Sequence, residues 1–168
     1  LDIMKTSKIA YEAFKDVKGD LFIIGFGANF VYLKEKNKDF SGSMPQSNDT
    51  ILLPALSKFF EEFKNSKEKF KFGVIFSDFQ LGKEDIKDVI ENIEKNLKFV
   101  TKLYIITTDN YSGDYDKIIA HFNEFHKHKV KVINLSEQKA KFEKELRDIL
   151  VDIVKDIVDF LQSKSISP

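Results

Sequence analysis

Short, nearly unbroken apolar runs alternate along this chain with longer stretches whose apolar residues recur every three or four positions. The runs LFIIGFG at 21–27, FGVIFSDF at 72–79 and LYIIT at 103–107 leave almost no polar face. A strand that is apolar on both sides must be covered on both sides, which is the condition of a parallel sheet with helices above and below it. VKVINL at 130–135 is expected to be the last strand of that sheet. The run at 29–33 is expected to pair with the first as a hairpin.

The intervening stretches have helical spacing. Ile9, Ala13, Phe14 and Val17 follow a capping Ser7. Leu52, Leu53, Leu56, Phe59, Phe60 and Phe63 form a wide stripe, with Asp49 or Thr50 as its cap and Pro54 in its first turn, where a missing N–H costs little. Ile86, Val89, Ile90, Ile93 and Leu97 mark another helix, and Tyr115, Ile118, Ile119 and Phe122 the next. From Glu137 onward a long helix carries Leu146, Ile149, Leu150, Ile153, Ile157 and Leu161, with Asp148, Asp152, Asp156 and Asp159 expected on a solvated face. The fold class is therefore α/β: a Rossmann-like, doubly wound, mostly parallel sheet flanked by helices, with one antiparallel edge strand. Its crossovers should be right-handed. A length of 168 residues suits one domain over 1–168.

Composition narrows the function classes. The 27 basic and 27 acidic side chains cancel, so no overall field favours nucleic acid or an anionic membrane. The absence of cysteine removes disulfides, zinc-thiolate sites and thiol catalysis. No apolar run approaches the ~20 residues that span a bilayer, and nothing reads as a signal peptide, so a cytoplasmic location is expected. His121, His126 and His128 lack a recurring ligand spacing and read as surface or interface histidines. Gly25-Phe26-Gly27 has neither the third glycine nor the following helix of a dinucleotide loop.

In α/β sheets ligands bind beyond the carboxyl ends of the strands. Hard oxygen donors gather there: Thr50 before one helix, Ser77-Asp78 after one strand and Thr108-Asp109 after the next. Such donors suit Mg²⁺, Mn²⁺ or Ca²⁺, and each residue also serves as an ordinary turn or cap residue.

Taken in order, these segments resemble the von Willebrand factor A (VWA) domain family over nearly the whole chain. LDIMKTSKIAYEAF looks like the first metal-motif segment and its helix, DLFIIGFGANFVYL like the hairpin after it, and NDTILLPALSKFF like the threonine and Ala-Leu helix. FGVIFSDFQ resembles the strand ending in Ser-Asp-Gly, with Phe79 where glycine is usual. KLYIITTD and VKVINLS resemble the last two strands. The resemblance implies a metal-ion-dependent adhesion site built here by Asp2, Thr50 and Asp78, holding Mg²⁺ (or Mn²⁺ or Ca²⁺) with one position open for a partner's carboxylate. Both serines of the family's Asp-x-Ser-x-Ser motif are missing after Asp2, and so is the apolar central strand before it, which is expected to exist elsewhere. An alternative register places a literal motif at Asp39, Ser41 and Ser43, with Asp109 as the later ligand. The polar run Lys34 to Lys38 that would then precede the motif cannot be the centre of a buried sheet, which disfavours it.

The resemblance implies a non-enzymatic module that docks a protein partner, with an AAA+ ATPase assembly the expected one, and neither nucleic acid nor membrane. Two other readings stand beside it: a Mg-dependent α/β enzyme acting on phosphorylated substrates, and a structural subunit whose metal site is dead.

Overall fold

A computed structural model describes residues 21–26, 29–34, 52–77, 79, 81, 83–108, 114–135 and 141–166. The helix read at 9–17 lies outside them. The described elements are β1 (Leu21–Phe26), β2 (Asn29–Lys34), α1 (Leu52–Asn65), β3 (Lys71–Ser77), α2 (Ile86–Asn96), β4 (Lys102–Thr108), α3 (Asp114–Glu124), β5 (Val130–Leu135) and α4 (Phe142–Ile166). A single 3-10 turn, Leu97–Phe99, extends α2.

The protein is α/β, with β3, β4 and β5 forming a parallel sheet flanked by helices. Strand order is β2-β1-β3-β4-β5. β1 lies parallel to β3, from Leu21 opposite Lys71 to Phe26 opposite Phe76, and antiparallel to β2. β1 and β3 therefore bond directly, and no further strand stands between them.

Side-chain alternation divides the sheet into two cores. Ile75, Leu103, Ile105 and Val130 face α1, α2 and α3, where they meet Leu52, Leu56, Phe59, Phe60, Phe63, Val89, Ile93, Ile118 and Phe122. Phe72, Val74, Phe76, Tyr104, Ile106 and Leu135 face α4 and its Leu146, Leu150, Ile153 and Ile157. The i, i+4 and i+3 spacing of these α4 residues is what lays the helix along the sheet.

Gly73 has a specific role in the first core. A Cβ there would stand 3.0 Å from the Phe59 ring and 3.1 Å from both the Phe63 ring and Leu103. Phe59 and Phe63 are themselves edge-to-face at 5.0 Å. The missing side chain lets an aromatic helix sit close to the strand, which offsets the strand's loss of a packing group.

Candidate functional site

The parallel register sets the carboxyl ends of β3 and β4 level, with Ser77 opposite Thr107. Both are buried. The strand order reverses next to β3: β1 leads outward to β2, whereas β3 leads the other way to β4. Such a reversal is where an open α/β sheet forms its ligand crevice. The Thr107 hydroxyl is buried without a hydrogen-bond partner among the described residues, and a buried polar atom in that state seeks a donor or acceptor at a cost of about 1–3 kcal/mol.

Just beyond β3 the backbone makes a sharp turn. Ser77 Oγ accepts a hydrogen bond from the Phe79 N–H at 3.1 Å, and Phe79 has φ of 52°. This is the left-handed region that favours glycine, and a bulky residue there pays about 1–3 kcal/mol. The ring is fully buried in the α1–α3 core, worth roughly 2–3 kcal/mol, so the packing offsets the strain. Sequence reading placed 79 at the end of a strand. The strand stops at Ser77, because the left-handed residue cannot continue the ladder.

Glu84, in the loop after β3, ties this loop to α1. Its Oε2 accepts from the Leu52 N–H at 2.8 Å and its Oε1 from the Leu53 N–H at 3.0 Å. Pro54 has no N–H, so the carboxylate satisfies the donors that open the helix, with the helix dipole in its favour. No local pattern announces this contact, since its partners lie 31 and 32 residues away in sequence.

Asp2, Thr50 and Asp78 all lie outside the described residues, as do Asp39, Ser41, Ser43 and Asp109. The Glu84 tie nevertheless joins the segment entering α1, which follows Thr50, to the loop that follows Asp78. Among the described residues no group of three histidine or acidic side chains could hold a metal ion.

Two histidines sit at the opposite end of the helix layer. Glu94 of α2 receives His126 Nε2 on Oε2 at 2.9 Å, while His121 Nε2 of α3 stands 3.1 Å from Oε1, at ion-pair distance but outside hydrogen-bond alignment. Burial pushes the Glu94 carboxyl up, but the close approach and charges of His126 and His121 outweigh it and hold it below its usual value. These groups clamp α2 to the end of α3. Both ring nitrogens point at a carboxylate, which is the arrangement of a structural clamp.

Asp156 departs from the expected solvated face of α4. Asp148, Asp152 and Asp159 are exposed, but Asp156 accepts the Tyr104 hydroxyl and lies 3.6 Å from Lys102 Nζ. Burial, then the hydrogen bond and charge of Asp156, push the Tyr104 phenol far above its usual value, so it remains a donor. The chain matches no protein-family profile, no curated protein and no solved structure, and among the described residues no helix is long and apolar enough to cross a membrane.

Proposed function

We propose that this chain is a non-enzymatic, cytoplasmic protein-docking module resembling a VWA domain, with β2 as its antiparallel edge strand. It engages its partner at the carboxyl ends of the strands through a divalent-cation site of Asp2, Thr50 and Asp78, or a degenerate remnant of that site. The observation that carries this reading is the left-handed backbone of Phe79, two residues after Ser77 and next to the reversal between β1 and β3. That backbone conformation is the reason a glycine would stand in this place, as it does in the family's Ser-Asp-Gly element. The tie from Glu84 to α1 supports it by joining the start of the helix that follows Thr50 in sequence to the loop that follows Asp78 in sequence.

A bound Mg²⁺ would supply a hard Lewis acid with an open position for an acidic side chain. The chain's own residues set the stage: Glu84 anchors the helix behind Thr50, and the buried Phe79 ring anchors the loop behind Asp78. An AAA+ ATPase assembly is the partner class this reading carries.

Calorimetric titration of Mg²⁺ and Mn²⁺ into wild type and Asp78→Ala tests it. A saturable heat in wild type that Asp78→Ala loses is the expected result. Turnover of a phosphorylated substrate that Asp78→Ala abolishes would overturn the non-enzymatic reading. The direct pairing of β1 with β3 favours a second reading, a structural subunit with a dead site, because it leaves no place between them for the strand that would carry the first metal motif. Null heats in both proteins, with partner docking intact, would select that one.

A further inference from the structure

At the other end of the sheet, where β4 and β5 begin, lies a cavity of about 380 Å³. Lys102, Lys127, Lys129 and Lys131 line it, and Tyr104, Asn123, His128 and Asp156 are the other polar side chains of its wall. Asp156 is already committed, since it accepts the Tyr104 hydroxyl and faces Lys102. Lys127, Lys129 and Lys131 have no ion-pair partner among the described residues. In a chain whose charges balance overall, four ammonium groups against one occupied carboxylate is a local excess of positive charge.

β5 is an edge strand, and lysines on edge strands commonly guard against pairing with other chains. A guard lysine works by staying hydrated. Lys129 is half-buried, and burial pushes its ammonium below its usual value. Lys102 is likewise drawn inward, held by Asp156 with its ammonium 5.2 Å from the centroid of the Phe160 ring. Partly dehydrated cations around a concavity are suited to an anionic guest. Lys131 lies on β5 and Lys129 in the turn just before it, and both line the cavity, which suits a ligand bearing two adjacent anionic groups.

We infer that this cavity binds a compact, phosphorylated small molecule with at least two neighbouring phosphate charges. The volume lies in the range of small-molecule sites, ~300–1,000 Å³, and lysine ammoniums recognise phosphate as point charges. The site is separate from the docking edge, at the opposite ends of the same strands.

The test is titration of pyrophosphate into the full chain, followed by calorimetry and by the thermal midpoint. Wild type should bind saturably, with an affinity that weakens as salt rises and a midpoint that climbs with ligand. Lys131→Gln, an exposed change that leaves the core alone, and Lys129→Gln should each weaken binding about tenfold or more, a loss of ~1.4 kcal/mol per tenfold. Lys129→Gln should leave the ligand-free midpoint unchanged or raised, because it removes a poorly hydrated charge. Lys155→Gln, elsewhere on α4, should bind as wild type does. Absence of saturation by about 10 mM, a limit weaker than ~3 kcal/mol of binding, overturns the inference, as does equal binding by wild type and both cavity variants. Citrate binding as tightly as pyrophosphate overturns the phosphate assignment, and a single-stranded RNA oligonucleotide binding more tightly overturns the small-molecule one.

Discussion

The two faces of the sheet are built on different principles. The face under α1, α2 and α3 is apolar and aromatic, with Phe59, Phe60, Phe63, Phe79 and Phe122 fully buried and Gly73 making room for Phe59 and Phe63. The face under α4 is also apolar at its centre, but at the start of β4 it gives way to Tyr104, Asp156 and Lys102. On that side Phe160 packs edge-on against Phe70 and Phe72, with Lys102 and Lys164 over its ring. The difference teaches that the first face secures the fold by shape, whereas the second leaves charged groups half-buried beside a cavity. Shape-based packing tolerates little change in volume. A polar contact can be altered at a smaller cost, provided that no partner is left unsatisfied.

The sharpest way to break this contrast is at Phe63. Phe63→Ala should lower stability by about 3–5 kcal/mol, read from a denaturant midpoint at unchanged slope. Gly73→Ala comes next, at about 1–3 kcal/mol, because the added methyl meets two rings that are themselves fully packed. A neutral result would show that α1 can back away from the sheet and that the face is looser than its geometry implies.

On the α4 face, Tyr104→Phe should cost about 1 kcal/mol at neutral pH, since Lys102 remains to serve Asp156. A loss as large as that of Phe63→Ala would erase the distinction between the faces. The raised phenol also sets a direction with pH. Its contribution is fully present below the unfolded value of 10.0 and is lost as pH rises above it. Wild type should therefore weaken through alkaline pH more steeply than Tyr104→Phe does.

The smallest effect is expected at the helix clamp. Glu94 is held below its ordinary value of 4.5, so its contribution is present above that pH and fades as pH falls through the lowered folded value. Urea midpoints measured across this acid range should fall less in Glu94→Gln than in wild type. An unchanged slope would mean that His121 and His126 hold α2 by packing alone.

Much of the fold was legible because it follows from periodicity. Residues 130–135 were read as β5 and are β5, and the strand read at 103–107 extends by one residue at each end. The stripe from Leu52 to Phe63 is the buried side of α1. What escaped notice depends on contacts between distant segments. Glu84 reads as one more loop carboxylate, yet it anchors a helix that begins 32 residues earlier. Asp156 reads as one of four aspartates on a polar face, and it is drawn in by a tyrosine on β4. Phe79 reads as the continuation of an apolar strand, and it is a left-handed turn residue with a buried ring. As for the candidate site, Asp2, Thr50 and Asp78 all lie outside the described residues.

Local pattern was enough to establish the α/β class, the helix and strand positions and the apolar residues of both cores, because burial selects residue types at the period of each element. Pairing β1 directly with β3, joining Glu84 to α1, turning Phe79 into the core and setting lysines around a cavity arose from the assembled fold. These features depend on which surfaces meet across the sheet, and a one-dimensional period carries no record of such meetings.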